Sequence, residues 1–340
     1  MSLRPLAQSR IDQKRFTDRA VETREVLRAV ADRQPVLVLG EPGSGRTSLL
    51  NHVAWLLGRE AKPWESVVVS GELARSPAQL LGVLVARLGR LAEPGVPRGQ
   101  WLQELQALAL PDGPFGEVAQ PAILMELVDL LGDRLVALER RVCLMVDGVS
   151  PAVAHAVFGS LRNELWALEG VAWVVAGDLA AGPLYREPPA DAFFARTVEL
   201  GPLSRADQVK LLRAHVPELT DEQIAAAIDA DGTGNPRRLL RAAADIQAGV
   251  DPTASADRQI VEQAAQTAGP LAARLVTYLA DNGPAAASDE RLLREVGASR
   301  QRVSQLMHAL ESAGLLETLE VRETGRRGRP VRRFGVKTTQ

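Results

Sequence analysis

The sequence predicts an α/β protein in which a parallel sheet comes first and a helical domain and a basic C-terminal domain follow. Apolar segments alternate with stretches that carry leucine and valine at helical spacing, the pattern of a parallel sheet covered by helices. Strand-like segments stop before Ser204 and return only near the C-terminus. The predicted strands are 36–40, 67–70, 143–147, 171–176 and 197–200, and the helical stretches between them include 80–91, 124–138 and 153–168.

Beyond the last of these strands, three residues stand where they could cap the start of a helix: Ser204, Thr220 and Asn235. Thr220 is followed three residues later by glutamine, which matches a capping box. Asn235 is followed by proline, a residue suited to the first position of a helix. These signals predict a small domain of three helices.

The domain boundaries follow from these signals and from one change in composition. The segment 249–257, GVDPTASAD, contains glycine, proline and small polar residues, which indicates a linker. Beyond it, helical segments lead into a basic hairpin. We expect a nucleotide-binding domain at 1–202, a helical lid at 203–250, a linker or connecting helix at 251–267 and a C-terminal domain at 268–340.

Composition excludes several classes of protein. Of the 340 residues, 46% are hydrophobic and 24% are charged, which is ordinary for a globular protein. No apolar run approaches the roughly 20 residues that a membrane span needs, and the N-terminus lacks the apolar core of a secretory signal. The single cysteine, Cys143, excludes an intramolecular disulfide. We expect a cytoplasmic protein with no membrane partner.

The net charge of −2 hides an uneven distribution. Residues 268–340 contain 12 Arg and Lys against 8 Asp and Glu, whereas the rest of the chain contains 28 against 34. Within 322–337 the numbers are seven basic residues and one acidic residue. A basic C-terminus on an acidic body indicates a localised contact with a polyanion.

A phosphate-binding loop follows the first predicted strand. Residues 40–47 read GEPGSGRT and lead into a helical segment, so the pattern GxxxxGK[ST] stands in its strand–loop–helix context. Its glycines let backbone N–H groups turn toward an anion, and the helix N-terminus adds a positive dipole end. We expect ATP or ADP here, with Mg²⁺ on the Thr47 hydroxyl. The predicted nucleotide-binding residues of the loop are Gly40, Pro42, Gly43, Ser44, Gly45, Arg46, Thr47 and Ser48.

The loop departs from its pattern at Arg46, where lysine is usual. Arginine keeps the positive charge and can contact phosphate through two N–H groups, but it is bulkier and planar. Nucleotide binding would survive this change while the geometry of hydrolysis suffers. The alternative is a degenerate loop that no longer binds nucleotide.

Asp147 ends the apolar segment VCLMVD. A carboxylate at this place can hold Mg²⁺ beside Thr47, which makes Asp147 both a predicted metal ligand and a predicted catalytic residue. The alternative is an ordinary turn residue, because Asp-Gly is a strong turn dipeptide. An active hydrolase of this class usually has an acidic residue next, whereas this chain has Gly148. Together with Arg46, this departure predicts slow hydrolysis.

These residues resemble the AAA+ ATPases, in the branch of the origin-recognition initiators and the STAND switch ATPases. The resemblance covers residues 10–250. It rests on FTDR at 16–19, on the phosphate-binding loop, on the strand that ends in Asp147 and on GNPRR at 234–238. It implies a five-stranded parallel sheet with a helical lid, and ATP or ADP between them.

The same resemblance implies roles for three arginines. It places Arg19 in the segment that borders the adenine, and it makes Arg237 the sensor 2 residue that touches the γ-phosphate. Arg196, with Arg186 as the alternative, would act in trans as an arginine finger. That role implies a homo-oligomer or a partner ATPase. The alternative for Arg237 is an ordinary exposed arginine on a helix.

Residues 270–340 look like a winged helix-turn-helix domain. Two helices precede a tight turn at Gly297, and a third helix runs from 299 to 312. Its apolar positions predict burial of one face, so the opposite face would enter the major groove of double-stranded DNA. The predicted DNA-binding residues on that face are Arg300, Gln301, Arg302, Ser304 and Gln305.

A basic hairpin follows this helix. Its tip, RGRP at 327–330, resembles the core of an AT-hook, in which flat arginines enter a narrow minor groove. The alternative is a winged helix that contacts protein, with a solvated basic loop. The predicted DNA-binding residues of the hairpin are Arg326, Arg327, Arg329, Arg332 and Arg333.

The sequence therefore favours a nucleotide-gated DNA-binding protein, an initiator-like factor or regulatory switch with weak or absent ATP hydrolysis. One alternative is an active AAA+ ATPase that remodels DNA or protein. Another is a STAND-like signalling scaffold in which the winged helix contacts protein.

Overall fold

A five-stranded parallel sheet forms the centre of the first of two units in the computed structural model. The structure describes residues 4–92, 116–250, 252–321 and 331–336, and the units divide between Leu203 and Ser204. The strands are β1 (Val36–Gly40), β2 (Glu65–Ser70), β3 (Val142–Asp147), β4 (Val171–Asp178) and β5 (Arg196–Leu200). Their order across the sheet is β2-β3-β4-β1-β5, and every pair is parallel. The predicted α/β fold with a five-stranded parallel sheet is confirmed.

Helices cover both faces of this sheet. Among the described residues, the helices of the first unit are α1 (Arg10–Arg15), α2 (Ala20–Ala31), α3 (Arg46–Leu57), α4 (Pro77–Ala92), α5 (Gly116–Leu138), α6 (Pro151–Ala154), α7 (Arg162–Ala167) and α8 (Gly182–Tyr185). A π-helical turn, His155–Ser160, lies between α6 and α7, and short 3₁₀ turns occur at Leu179–Ala181 and Ala190–Ala192.

The two faces of the sheet carry separate hydrophobic cores. Leu37 and Leu39 of β1 enter the core beneath α4 and α5, whereas Val36 and Val38 enter the core beneath α2 and α3. Successive strand residues point to opposite faces, and all four of these side chains are fully buried. A strand covered on both faces is apolar throughout, which explains the uninterrupted run VLVL.

The helical stretch predicted at 153–168 is divided in the structure into α6, the π-helical turn and α7. Gly159 lies inside the π-helical turn. A side chain at this position would begin 3.1 Å from the backbone nitrogen of Ala190, so the turn packs closely against the neighbouring segment. The regular spacing of valine and leucine did not reveal this approach.

The second unit begins with three helices, α9 (Arg205–His215), α10 (Asp221–Asp231) and α11 (Pro236–Gln247). Their predicted caps are confirmed. The hydroxyl of Ser204 accepts a hydrogen bond from the backbone of Asp207, and Asn235 accepts from the first turn of α11. Thr220 takes part in a complete capping box with Gln223.

Of the linker or connecting helix predicted at 251–267, the structure has a helix, and this helix takes up most of the segment 249–257 that was expected to be a linker. Helix α12 (Pro252–Ala268) begins inside that segment. Proline is favourable at the first position of a helix, and the alanines that follow are good helix formers. The far end of α12 is anchored, because Ala264 is fully buried in the C-terminal core.

The C-terminal part of this unit contains α13 (Pro270–Asn282), α14 (Glu290–Val296) and α15 (Arg300–Ser312), followed by the antiparallel strands β6 (Leu316–Val321) and β7 (Val331–Val336). Gly297 ends α14 with a φ of 71°, a left-handed conformation that glycine adopts without strain. Phe334 of β7 is buried in the core that the three helices share, and it pairs through backbone hydrogen bonds with Ala285. Within the described ranges, no helix is long and apolar enough to cross a membrane.

Candidate nucleotide site and DNA-binding face

The phosphate-binding loop connects the end of β1 to the start of α3. Gly43 and Gly45 have φ values of 89° and 97°, so the loop needs glycine at both positions. Gly40 is required for space, since a side chain there would begin 2.3 Å from Oγ of Ser44. Arg46 and Thr47 form the first turn of α3, where free backbone N–H groups and the helix dipole favour an anion.

Thr47 and Asp147 meet at the carboxyl edge of the sheet. Oγ1 of Thr47 donates a hydrogen bond of 2.5 Å to Oδ2 of Asp147. Burial raises the pKa of Asp147 above its ordinary value of 3.8, and Glu72 adds to the increase, while the bond from Thr47 and the charge of Arg46 act against it. A bound divalent cation would favour the ionised carboxylate.

The residues present fit a nucleotide with its metal. Ser44 belongs to the phosphate-binding loop. Its Oγ is buried and has no hydrogen-bond partner in the described part of the chain. A phosphate oxygen would satisfy such a hydroxyl. The loop backbone and Arg46 would hold the phosphates, and Thr47 with Asp147 would hold Mg²⁺.

Arg19 bonds to the backbone of the phosphate-binding loop. Its guanidinium donates hydrogen bonds to the carbonyl oxygens of Ser44, at 3.3 Å, and of Gly201, at 2.6 Å, and it forms an ion pair with Glu22. The residue is 8% exposed and has a left-handed backbone, with φ at 59°. These contacts describe a positioning residue for the loop; the predicted place beside adenine stays a prediction.

An N-terminal segment lies against α3, a contact that the sequence pattern did not reveal. The backbone N–H of Leu6 donates to Oγ of Ser48 at 3.1 Å, and Asn51 donates to the carbonyl of Leu6 at 2.9 Å. The ring of Phe16 stacks on His52, with centroids 4.0 Å apart. Ser48, predicted to bind nucleotide, therefore has a partner within the protein.

One predicted catalytic arginine, Arg196, lies away from the pair formed by Thr47 and Asp147. Arg196 begins β5 and is paired in register with Val36, so it sits at the opposite edge of the sheet from the loop. It is exposed and donates to the side chain of Gln34 at 2.7 Å. Such a position cannot serve the loop of its own unit, and action in trans stays a prediction.

Arg237 belongs to the second unit and is exposed on the first turn of α11. Its backbone N–H donates to Oδ1 of Asn235, which fixes the start of the helix. The role of Arg237 toward the γ-phosphate stays a prediction.

Helix α15 presents a polar face and buries an apolar one. Its core side chains are Val303, Leu306, Met307 and Leu310, all at most 2% exposed. Arg302 and Gln305 contact each other on the outer face, at 3.5 Å. Of the predicted DNA-binding residues on this helix, Ser304 is half-buried and the following are exposed: Arg300, Gln301, Arg302 and Gln305.

Two of the predicted DNA-binding arginines of the hairpin lie among the residues that the structure describes. Arg332 is exposed and Arg333 is half-buried, both on β7. In register, Arg332 is paired with Glu320 of β6, and Arg333 with Leu319. Three predicted residues, Arg326, Arg327 and Arg329, lie outside the described residues.

Comparison with solved structures gives the fold class. The chain is similar in fold to the Orc1 protein of Aeropyrum pernix in a complex with DNA, with a TM-score of 0.57 and 14% identity over 94% of this chain and 89% of that one. Cdc6p of Pyrobaculum aerophilum and the RuvB Holliday junction branch migration motor of Thermotoga maritima each give a TM-score of 0.45, at 14% and 15% identity. The match to Cdc6p covers 94% of this chain and 89% of that one, and the match to RuvB covers 97% of this chain and 95% of that one. The fold is that of the AAA+ proteins.

No family model matches the sequence, and no curated protein matches it.

Proposed function

We propose that this chain is an AAA+ protein that binds ATP or ADP with Mg²⁺, and that its nucleotide state controls the binding of double-stranded DNA by a C-terminal winged helix. Such a protein would act as an initiator-like factor or regulatory switch. The observation that carries the proposal is the hydrogen bond between Thr47 and Asp147 beside the phosphate-binding loop. We assign nucleotide binding to 1–202 and 203–250, and DNA binding to 268–340.

The residues of the first unit have distinct tasks in this proposal. The backbone of the loop and Arg46 bind the phosphates, while Thr47 and Asp147 hold the metal. Bound Mg²⁺ supplies positive charge to the phosphate oxygens. Hydrolysis is slow because arginine replaces the usual lysine and because glycine stands directly after Asp147, where an acidic residue is usual. Arg237, and Arg196 from a second subunit, complete the site in an assembly.

The second unit supports the part of the proposal that concerns DNA binding. Three helices with a tight turn before the third, followed by an antiparallel hairpin, support a winged helix. Helix α15 would enter the major groove, with Arg302 and Gln305 on its exposed face. The excess of basic residues near the hairpin supports a phosphate contact. The similarity in fold to Orc1, which was solved with DNA, agrees with this assignment.

Calorimetry with Mg-ATP and Mg-ADP tests the nucleotide site. We expect the wild-type protein to bind both, and a variant with Arg46→Ala and Thr47→Ala to lose binding, because it lacks a phosphate contact and a metal ligand. The matched control is Arg274→Ala with Thr277→Ala, two exposed residues of α13. If the Arg46→Ala, Thr47→Ala variant bound nucleotide as tightly as the wild type, the assignment of the nucleotide site to this loop would be wrong.

The same titration, repeated with duplex DNA present, examines the coupling. If nucleotide controls DNA binding, DNA must change nucleotide affinity by the same factor that nucleotide changes DNA affinity. Equal nucleotide affinities with and without DNA would leave two independent binding activities and no switch.

A further inference from the structure

The chain leaves β2 in close contact with the end of β3. The backbone N–H of Gly71 donates to the carbonyl of Asp147 at 2.7 Å. A side chain at position 71 would begin 2.8 Å from Cβ and 2.9 Å from Cα of Val149. The chain after β2 therefore lies in direct contact with the segment that follows Asp147, and glycine at position 71 leaves room for this contact.

This path brings Glu72 to Gly148. A side chain on Gly148 would begin 2.6 Å from Cγ of Glu72 and 3.0 Å from its Oε1. The carboxylate of Glu72 thus lies where a side chain at position 148 would extend, one residue beyond Asp147. Glu72 is exposed, so its carboxylate is open to water.

The strand order places Glu72 and Thr47 on different sides of Asp147. β2 adjoins β3 on one side, whereas β4 and then β1, which carries the phosphate-binding loop, lie on the other. Thr47 reaches Asp147 from the side of β1 through its hydrogen bond. A nucleotide held by the loop would therefore have a metal ligand and a free carboxylate next to each other at one edge of the sheet.

We propose that Glu72 supplies the carboxylate that is missing at position 148 and acts as the general base for ATP hydrolysis. The inference rests on the proposed nucleotide site. Glu72 takes a proton from water as the water oxygen forms a bond to the γ-phosphorus. The bond from that phosphorus to the β–γ bridging oxygen breaks, and ADP leaves with the electron pair. The proton passes from Glu72 to solvent, so ATP and water yield ADP, phosphate and a proton.

A single-turnover experiment with protein in excess of labelled ATP tests this role. Removing a general base lowers rates by typically about 10² to 10⁴-fold, and we expect a loss in that range for Glu72→Gln. Calorimetric affinity for Mg-ATP should stay within about twofold, since Glu72 is not needed for binding. Nucleotide recovered from the protein should remain ATP in the variant and become ADP in the wild type. The matched control is Glu169→Gln, an exposed glutamate before the start of β4.

A second variant tests the position of the carboxylate. Glu72→Asp keeps the charge but draws the carboxylate back by one methylene group from its place beside Gly148. We expect a hydrolysis rate below that of the wild type with ATP affinity retained. A substitution at Gly148 does not suit this test, because its φ of 72° would strain any other residue and disturb Asp147 directly. Thermal melting of each variant confirms that the chain is folded.

The outcomes separate the two proposals. Wild-type protein that binds no nucleotide would refute the proposed function. Wild-type protein that binds ATP while Glu72→Gln hydrolyses it at the wild-type rate would overturn the role of Glu72 alone. ATP that is bound but never hydrolysed above the protein-free rate would also overturn it.

Discussion

Asp12 anchors the N-terminal segment that lies against α3. Its carboxylate is 2% exposed, accepts a hydrogen bond from the backbone of Ala7 at 3.0 Å and pairs with Arg4 at 2.8 Å. Burial acts to raise the pKa of Asp12, but the bond from Ala7 and the interactions with Arg4 outweigh it and hold the pKa below 3.8. A carboxyl with a lowered pKa stabilises the fold above its unfolded pKa, and that contribution is lost as the pH falls through the folded pKa.

We therefore expect the N-terminal segment to loosen in acid, below the ordinary pKa of 3.8. Exchange of the Leu6 and Ala7 amide protons, followed by NMR as the pH is lowered, measures this loosening after correction for intrinsic rates. Asp12→Asn removes the titrating group, and in that variant protection should be lower at neutral pH and insensitive to acid. Equal protection in the two proteins at neutral pH would show that Asp12 is not the anchor.

At the scale of single residues, the sequence predicts what local motifs define. Thr47 and Asp147 each stand in a recognisable motif, and the structure brings them into contact. The place of Glu72 depends instead on β2 lying beside β3 and on the space left by Gly71. Neither fact is local in the chain, so no spacing in the sequence could reveal this carboxylate.

Helix α10 begins with a capping box that tests how much an element depends on its first turn. Oγ1 of Thr220 accepts from the backbone of Gln223 at 3.2 Å, and Oε1 of Gln223 accepts from the backbone of Thr220 at 3.0 Å. We expect Thr220→Ala to lower the free energy of unfolding by about 1 kcal/mol, because a helix N–H loses its acceptor. Urea denaturation followed by circular dichroism measures the change.

The control for this prediction is Thr277→Ala, an exposed threonine inside α13. Its hydroxyl donates to the carbonyl of Ala273 in the preceding turn and caps no helix end, so the change should stay within about 0.5 kcal/mol. Equal effects of the two substitutions would show that the loss at Thr220 reflects side-chain removal and not the cap.

Elements were predicted well where a local signal defines them and poorly where packing decides. Caps and apolar strands fall at the predicted residues because their signals lie within a few positions of each other. The sequence left open whether 251–267 is a linker or a connecting helix. Proline and small residues suit a linker and also the first turns of α12, whose far end is held by the buried Ala264. The π-helical turn that divides 153–168 packs against Ala190, a contact between distant residues that the spacing of valine and leucine does not show.

At the scale of the whole molecule, the charge is separated along the chain. Residues 268–340 have four more basic than acidic residues, and residues 1–267 have six more acidic ones. Electrostatic attraction to a polyanion would therefore be concentrated in the C-terminal part of the second unit. The sequence predicts this separation directly, because it depends on composition alone, and the structure adds that Arg300 and Arg302 are both exposed on α15.

Salt titration of duplex binding by the full chain measures how many arginines contact phosphate. If four to six are neutralised, the logarithm of the binding constant should fall against the logarithm of salt concentration with a slope of about −4 to −5. Arg327→Ala with Arg329→Ala should reduce that slope by about 2 and weaken a preference for A·T-rich flanks. Arg302→Ala should instead relax preference at one base pair, at a cost of about 1–3 kcal/mol.

The control for the double variant is Arg24→Ala with Arg28→Ala, two exposed arginines of α2 in the first unit. Both double variants remove two positive charges, so a general effect of net charge would lower the two slopes equally. A direct contact predicts that only the hairpin variant changes the slope. If the α2 variant changes it as much, phosphate is bound by the first unit or by long-range charge. If neither changes it, the hairpin arginines do not contact phosphate and the proposed winged helix binds a different partner.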